Sequence, residues 1–304
     1  MGRDLHLAHG QFFGSARRRC AIHGMEVAHR LAEGPPDSVA SHTHADLHFI
    51  LVTGGAYVSA AGSLPGDEPV LVYNPRGVTH RDHFERGRGS FFSISLDPDA
   101  PHMLGALVLP DEPRYLRSSE QLMLARAIGS LCSGNESELS LESLCLELVG
   151  TLALPAPRRS RAIPGWLAAA VEYLQDRYCL GLSIADVAQV IGVHPVYLAR
   201  CFRRYFGCTP GVFTRFRRLE RAADLLSSSA LPLAEVALKC GFADQSQLTK
   251  AFQKGLGVTP GRYRTLVGSR EGCRFRLQID KTDSGGWAQL VQWARSPSTR
   301  RRIR

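Results

Sequence analysis

The sequence predicts a two-domain protein: an N-terminal antiparallel β-barrel with helices, then a C-terminal all-α domain in which a linker helix joins two helix-turn-helix units. Three observations lead to this fold class. Short β-type runs fill residues 40–97, a two-helix pattern occurs twice between residues 183 and 261, and charge is divided unevenly along the chain. With 304 residues and 44% apolar content, the chain is long enough to bury two cores.

The N-terminal domain is predicted over residues 1–152. The runs HFILV, AYVSA, PVLVYNP and SFFSISL are separated by Gly, Pro and Asp clusters, and Gly54-Gly55 is a hairpin signal between the first two runs. Short strands at this spacing indicate a small antiparallel barrel or sandwich. Residues 117–152 have a helical pattern, with one leucine stripe formed by Leu141, Leu144, Leu148 and Leu152. The stripe predicts a helix lying on the barrel or, alternatively, the seam of a homodimer.

The second part of the chain differs from the first in composition. Residues 153–163 are rich in Pro, Arg and Ala without periodicity, which predicts a linker. Residues 164–265 are predicted to be the helical domain, and residues 266–304 a basic tail without stable structure. Residues 161–304 hold 23 Lys and Arg against 10 Asp and Glu, whereas residues 1–160 hold 14 against 18. This basic excess indicates contact with a polyanion, with a solvated basic face as the alternative.

The helical domain contains an internal repeat. SIADVAQVIGV, residues 183–193, matches PLAEVALKCGF, residues 232–242, and LARCFRRYFGCTPG, residues 198–211, matches LTKAFQKGLGVTPG, residues 248–261. In each copy apolar residues recur at helical steps on both sides of a glycine, Gly192 or Gly241. This pattern predicts two helix-turn-helix units.

The faces that packing does not use predict a partner. In the first copy the outward residues are Pro195, Val196, Ala199, Arg200 and Arg203; in the second they are Gln245, Ser246, Thr249, Lys250 and Gln253. Arginine can fork onto guanine, glutamine can bridge adenine, and small apolar groups suit the thymine methyl. A solvated helix face would more often carry Glu–Lys pairs, and acidic residues are almost absent from these faces. The predicted partner is double-stranded promoter DNA.

A helix between the copies sets their spacing. Thr209 is a predicted cap, Ser227 to Ser229 end the helix, and about 17 residues give a length of roughly 25 Å. Such a helix can hold two reading helices about one turn of B-DNA apart, roughly 34 Å.

Residues 165–265 resemble the DNA-binding domain of the AraC/XylS family of bacterial transcription regulators. The resemblance rests on the repeat and on the stretch from Gly241 to Arg264, GFADQSQLTKAFQKGLGVTPGRYR. It implies a seven-helix domain and places base contacts at Val196, Ala199 and Arg200 and at Gln245, Ser246, Thr249 and Lys250. The first reader departs from the family pattern, because Val196 and Ala199 stand at positions that are often polar. It further implies a cytoplasmic, effector-controlled regulator that is not an enzyme, with RNA polymerase as a partner if it activates.

Histidines crowd the N-terminal domain. SHTHADLH and NPRGVTH place His42, His44, His48 and His80 in patterns similar to the two cupin motifs, H-x-H-x3-H and P-x-G-x2-H. In metal-binding cupins these positions hold a metal, and an Fe(II), Zn or Mn site is one alternative. Sensor domains of the AraC family also resemble cupins, which favours a pocket for an unidentified small effector, lined by these four histidines and Arg76. Purely structural histidines are the third alternative, and no metal or cofactor is assigned.

Two other functions remain as hypotheses. The histidines are compatible with a metal-dependent cupin enzyme, such as an oxygenase, and the cysteines with a redox sensor. The eight cysteines show no C-x-x-C spacing, which favours reduced thiols in the cytoplasm. The sequence contains no run of eighteen apolar residues, so no membrane span is predicted. The first residues lack the apolar core of a secretory signal.

Overall fold

The structure is a computed structural model of the chain that describes residues 5–61, 70–97, 104, 107–133, 138–153 and 163–268. Contacts divide the chain into two units, residues 1–156 with 194–197 and residues 157–193 with 198–304. The predicted linker at residues 153–163 and the predicted tail at residues 266–304 lie largely outside the described residues. No described helix has the length and apolar character needed to cross a membrane.

The first unit contains eleven described strands. They are β1 (Leu5–Leu7), β2 (Ser15–Ile22), β3 (Met25–Glu33), β4 (His42–His44), β5 (Leu47–Gly54), β6 (Tyr57–Val58), β7 (Leu71–Asn74), β8 (Thr79–His80), β9 (His83–Phe84), β10 (Arg88–Leu96) and β11 (Arg114–Tyr115). They form a six-stranded sheet in the order β11-β7-β5-β10-β3-β2, a three-stranded sheet β1-β4-β8 and a two-stranded sheet β6-β9. Only the β1–β4 pair is parallel among these described pairings.

The prediction of a barrel is confirmed only in part. The first unit is rich in strands, but the six-stranded sheet ends at β11 and β2, and the described strands do not close into a barrel. The hairpin predicted at Gly54-Gly55 is wrong, because β5 pairs with β10 and β7 whereas β6 pairs with β9. Gly55, at φ 94°, therefore carries the chain from one sheet to another, and a Cβ there would lie 2.7 Å from the Arg88 carbonyl oxygen.

One face of the six-stranded sheet packs in the core, and the other face lines a cavity. Phe49 pairs with Ile94 and Tyr73 across three strands, and all three side chains are buried on one face. Phe92 lies on the same face beside Gly129 of the first helix, α1 (Ser119–Ser133). The second helix, α2 (Glu138–Ala153), packs on α1. The opposite face carries His48, Ile50 and Phe91 and lines a cavity. Alternation along each strand thus separates the core from the cavity.

The leucine stripe lies on α2. Leu141, Leu144 and Leu148 are buried in the chain, and Leu152 is half-buried. Their burial supports the interpretation of a helix packed within its own chain rather than an exposed homodimer seam.

Seven helices are described between residues 163 and 268, the number that the resemblance implies. They are α3 (Gly165–Arg177), α4 (Ile184–Ile191), α5 (Pro195–Phe206), α6 (Pro210–Ser228), α7 (Leu233–Lys239), α8 (Gln245–Leu256) and α9 (Pro260–Gly268). The pairs α4–α5 and α7–α8 are the two predicted copies. The helix α6 between them has 19 residues and begins at the cap Thr209, whose side chain accepts a hydrogen bond from the Val212 N–H.

Both copies have the predicted buried faces. In the first copy Val187, Ala188, Leu198 and Phe202 are buried, and Phe202 packs against Phe206 with ring centroids 4.8 Å apart. In the second copy one core cluster contains the equivalent residues together with side chains of α6: Val236, Ala237, Leu248, Phe252, Leu219, Ala222 and Leu226. The linker helix therefore contributes to the core as well as to the spacing.

Alanine substitutions at the two turn glycines separate the cost of backbone strain from that of a steric clash. Gly192 and Gly241 both have positive φ, 75° and 81°. A Cβ on Gly192 would meet nothing within 4 Å, whereas a Cβ on Gly241 would lie 2.5 Å from the Cys179 carbonyl oxygen. We expect Gly192→Ala to lower the free energy of unfolding by about 1 kcal/mol, and Gly241→Ala by about 2–4 kcal/mol, since overpacking adds to the strain. Thermal and urea unfolding of both variants measures the difference, and equal losses would contradict the close approach at Gly241.

Candidate nucleic-acid interface and histidine cavity

The first helix-turn-helix unit is fixed by a capping box and a left-handed glycine. The Ser183 side chain accepts from the Asp186 N–H, and the Asp186 side chain accepts from the Ser183 N–H, at 3.0 and 2.9 Å. These bonds satisfy amide groups that a helix start leaves unpaired. At the other end of α4, Gly192 adopts the left-handed conformation and its N–H donates to the Ala188 carbonyl. The start and the end of α4, and hence the turn into α5, are therefore set locally.

The predicted reading face of α5 is largely buried in this structure. Pro195, Val196 and Ala199 are buried, and Arg200 is only 4% exposed. Arg203 is half-buried, and its neighbour Arg204 is exposed. The sequence pattern correctly gave these residues a place on the second helix of the unit, but it did not predict their burial.

The second helix-turn-helix unit presents its predicted face openly. Asp244 caps α8 by accepting from the Gln247 N–H at 2.7 Å, and the Gln247 side chain accepts from the Ala243 N–H at 2.8 Å. Gln247 was not among the predicted residues, and the outward face contains the five that were. Gln245, Ser246, Lys250 and Gln253 are exposed, and Thr249 is half-buried with its hydroxyl donating to the Gln245 carbonyl. This face has hydrogen-bonding and cationic groups and lacks carboxylates.

The histidine cavity lies in the first unit and has a volume of about 120 Å³. Of the five predicted pocket residues, it brings together His42, His44, His48 and His80. Arg76 is exposed and is not among the residues that line the cavity. Apolar side chains that the sequence did not single out form much of the wall: Phe12, Phe13, Ile50, Tyr57, Phe84 and Phe91. Phe12 and Phe13 lie in the loop after β1, and their rings contact His44 and His42.

A buried carboxylate, Asp46, lies beneath the histidines. One of its oxygens, Oδ2, accepts from the Gly10 N–H at 3.0 Å and lies 3.1 Å from His9 Nδ1. The other, Oδ1, lies 3.6 Å from His48 Nδ1 and 3.8 Å from His44 Nδ1. Burial by itself raises the pKa of Asp46, but the contacts with His48 and the Gly10 N–H outweigh it and lower the pKa. Asp46 is therefore a fixed negative charge under the cluster.

A second carboxylate, Asp82, organises one side of the cavity. It accepts hydrogen bonds from the Tyr57 hydroxyl, the Ala60 N–H and the Asn74 amide at 3.1, 2.9 and 3.2 Å. The same Asn74 amide nitrogen lies 3.1 Å from His48 Nε2. Asp82 was predicted, with Arg76 and Arg81, as a residue near the rim that could orient a polar ligand. Asp46 and Asn74 are site residues that sequence analysis missed, because no spacing motif connects them to the histidines.

Burial determines the charge state of the histidines. It lowers the pKa of His42 and of His44, and it lowers the pKa of His80 to about 4. Neighbouring histidines lower these values further, and Asp82 opposes the effect at His80. The three rings are therefore neutral at pH 7, the form in which imidazole can accept hydrogen bonds or bind a cation.

Burial lowers the reactivity of two described cysteines. The seven described cysteines are free, and burial raises the pKa of Cys132 to about 12 and that of Cys240 to about 11. A raised pKa favours the unreactive thiol over the thiolate. This environment weakens the redox-sensor hypothesis.

The chain has two helix-turn-helix units joined by a helix, and the second of these units exposes the polar and basic face of α8. These features define a DNA-binding protein. Comparison with known proteins agrees. Residues 187–265 match the family model described as "Helix-turn-helix domain". The chain is 31% identical over 202 residues to the uncharacterized HTH-type transcriptional regulator YisR of Bacillus subtilis, covering 66% of this chain and 68% of that protein. The chain belongs to the AraC family of transcription regulators, which are typically not enzymes.

Other relatives match over a smaller share of their length. The uncharacterized HTH-type transcriptional regulator YijO of Escherichia coli is 32% identical over 125 residues, covering 41% of this chain and 43% of that protein. The arabinose operon regulatory protein of Salmonella typhimurium is 30% identical over 162 residues, covering 51% of this chain and 56% of that protein.

Solved structures of AraC-type DNA-binding domains are also similar to this chain. One from Chromobacterium violaceum is 27% identical with a TM-score of 0.33, covering 34% of this chain and 94% of that one. The DNA-binding domain of AdpA, solved with a target DNA, is 26% identical with a TM-score of 0.33, covering 35% of this chain and 96% of that one.

Proposed function

We propose that this regulator reads two successive major grooves of promoter DNA with α5 and α8, under the control of a small effector bound in the histidine cavity. The observation that carries the proposal is the duplicated two-helix unit on one linker helix. At 1.5 Å per residue, the 19 residues of α6 extend about 28 Å, close to the roughly 34 Å of one DNA turn.

The exposed face of α8 supports direct readout of base edges by the second helix-turn-helix unit. Gln245, near the start of the helix, can bridge adenine in the major groove, and Ser246 can bond either a base or a phosphate. Lys250 adds a positive charge one turn further along. Residues at the start of a recognition helix are those that reach base edges in this motif.

The first helix-turn-helix unit reads DNA only in a state in which the predicted reading face of α5 is exposed. A side chain that is 4% exposed, such as Arg200, cannot reach a base edge. We propose that Val196 and Ala199 then make apolar contacts with thymine methyl groups, that Pro195 borders them, and that Arg200 and Arg203 bind guanine or phosphate.

Further partners follow from the same proposal. A small effector binds in the cavity by contact with the histidines of its wall. Arg76, which was predicted to take part, does not line the cavity. A homodimer would double the number of DNA contacts, and RNA polymerase is the partner if the protein activates. The cytoplasm is the proposed location, because the DNA lies there.

A substitution at Arg200 tests whether α5 contacts DNA bases. We expect Arg200→Ala to weaken binding to the selected DNA by about 1–3 kcal/mol and to relax the preference at one base pair. Because Arg200 is buried, the variant should also lose some thermal stability. Binding is measured by fluorescence anisotropy on the full-length chain, with a DNA sequence selected from a random pool. The exposed arginine on α1, Arg126, supplies the matched control Arg126→Ala, which we expect to have no effect on binding.

The opposite pattern would assign Arg200 to packing. If the Arg200→Ala variant melts several degrees lower while its base preference stays that of the wild type, the proposed reading face of α5 is wrong. Unchanged affinity and unchanged melting would contradict it equally.

A further inference from the structure

We propose that the effector bound in the histidine cavity is a small organic amine, held as its ammonium ion by Asp82 and by the ring nitrogens of His42 and His80. The inference rests on the proposed function, because it names the chemical class of the effector. It concerns binding in the first unit alone, so it can be tested without DNA.

The charged side chains in the cavity wall are acidic. Of the described lining residues other than histidine, Asp82 and Glu33 carry a formal charge, and neither lysine nor arginine is among them. Asp46, fully buried beneath the histidines, adds a further negative charge. The buried Arg30 does not line the cavity, and its guanidinium donates to the Glu26 carboxylate at 2.9 Å. An anion would therefore be buried against like charges, whereas a cation would be attracted.

Asp82 has a negative charge that neutral groups hold in place. Its oxygens accept four hydrogen bonds, from the hydroxyls of Tyr57 and Ser59, the Asn74 amide and the Ala60 N–H. The first three donors bind Oδ2 and the fourth binds Oδ1, so Oδ1 can accept one more donor. Among the described residues no lysine or arginine forms a salt bridge with Asp82. Its charge therefore favours a ligand that is itself a cation.

His42 and His80 add two nitrogen acceptors to this carboxylate. Their Nδ1 atoms lie 2.8 Å from the Ala40 carbonyl oxygen and 3.1 Å from the Val78 carbonyl oxygen. A carbonyl can only accept, so each Nδ1 carries the proton and each neutral ring keeps a lone pair on Nε2. The two rings are 4.6 Å apart, and both are close enough to Asp82 to interact with it electrostatically. These three acceptors match the three N–H donors of an ammonium group.

Aromatic rings form the wall beside these acceptors. Tyr57, whose hydroxyl donates to Asp82, packs against Phe84 with ring centroids 5.1 Å apart, and Phe84 packs on Phe91 at 6.0 Å. Ring faces attract cations, and they also cover the hydrocarbon part of a ligand. A neutral alcohol of the same shape could make similar hydrogen bonds, but it would leave the charge of Asp82 uncompensated. The wall therefore favours an amine over its neutral counterpart.

The volume of the cavity limits the size of the amine. The cavity has about 120 Å³, and since an apolar cavity of about 150 Å³ holds benzene, this one suits about five or six non-hydrogen atoms. The probe is therefore n-butylammonium. Its neutral and anionic counterparts are 1-butanol and butyrate, which have nearly the same size.

The test measures the dissociation constants of the three probes on the full-length protein by ligand-observed NMR, at pH 7 and constant ionic strength. We expect n-butylammonium to bind with a Kd of about 1 mM and about ten-fold more tightly than 1-butanol, and butyrate not to bind in the same range. Asp82→Asn, which removes the charge and keeps the size, should abolish the preference. Glu85→Gln is the matched control, because Glu85 is an exposed carboxylate that does not line the cavity, and the preference should remain.

Binding of 1-butanol also shows whether the cavity is intact in a variant. If Asp82→Asn binds 1-butanol as the wild type does and has lost the preference for the amine, the proposal is supported. If it binds neither probe, Asp82→Glu, which restores the charge, should bind n-butylammonium within about ten-fold of the wild type. Loss of binding in both variants overturns the proposal.

Three results with the first two proteins would also overturn it. They are binding of butyrate or 1-butanol to the wild type as tightly as n-butylammonium, failure of the wild type to bind any of the probes, and a preference for the amine that survives Asp82→Asn. DNA binding is recorded separately by anisotropy, with and without n-butylammonium. If the amine binds but leaves the DNA affinity unchanged, effector control is contradicted and the ligand class stands. If the amine does not bind, the DNA-binding proposal stands.

Discussion

Replacing Lys250 with glutamate is expected to weaken binding to the selected DNA at least 100-fold. Lys250 is exposed on α8, among the residues proposed to face the major groove, so a carboxylate there would lie close to phosphates and base edges. Like charges at a contact surface cost several kcal/mol, and about 2.7 kcal/mol already corresponds to 100-fold. The variant should fold normally, because surface substitutions change stability by about 0.5 kcal/mol or less.

The matched control is Lys239→Glu. Lys239 is also an exposed lysine of the second copy, but it lies on α7, 3.5 Å from the Glu235 carboxylate. Both variants change the formal charge of the domain by the same amount, so any difference between them reports local contact rather than net attraction. We expect Lys239→Glu to lose less than ten-fold, as measured by anisotropy at a single salt concentration. Equal losses would show that α8 has no special place at the DNA.

The helical domain could be predicted closely because its signals are local. In each copy the buried positions recur at helical steps, and Gly192 and Gly241 lie where the structure has left-handed turns. The linker helix was also predicted with its cap at Thr209, because a Thr-Pro pair is a strong start signal. What the sequence could not predict is which outward faces stay open. Arg200 and Lys250 occupy similar places in the repeat, yet the first is buried and the second exposed.

The sheet domain was predicted less well because strand pairing depends on partners far along the chain. Gly54-Gly55 is a strong local hairpin signal, but the partners of β5 are β10 and β7. The hairpin that does form joins β2 and β3 through His23 and Gly24, at φ 42° and 76°, and lies outside the residues predicted as strands. The glycine of its His-Gly turn was the available sequence signal, because a turn of this kind needs positive φ angles.

The histidine site shows the same division. The spacing of His42 and His44 places both on one strand face, because residues two apart share a face. His80 joins them through the pairing of β4 with β8. The roles of Asp46 and Asn74 depend on contacts of His48 that no spacing encodes. The separate surroundings of His48 therefore come from the structure, whereas the motif by itself treats the four histidines alike.

Replacing Phe252 with alanine is expected to have the largest effect on stability. Phe252 is fully buried in the core of the second copy, with its ring 5.4 Å from that of Tyr263 and packed among residues of α6, α7 and α8. Truncation of a buried phenylalanine costs about 3–5 kcal/mol, against a total of about 5–15 kcal/mol for a typical domain. The variant should therefore open the second copy locally and lose the proposed DNA contacts of α8.

Hydrogen exchange followed by mass spectrometry locates the effect. We expect faster exchange in peptides from α7 and α8, and a smaller change in α4 and α5, because Phe202 supplies the equivalent buried ring in the first copy and remains in place. The adjacent exposed residue supplies the control Gln253→Ala, which should shift the free energy of unfolding by about 0.5 kcal/mol or less. If Phe252→Ala instead accelerated exchange equally in both copies, the two helix-turn-helix copies would share one cooperative core and could not open independently.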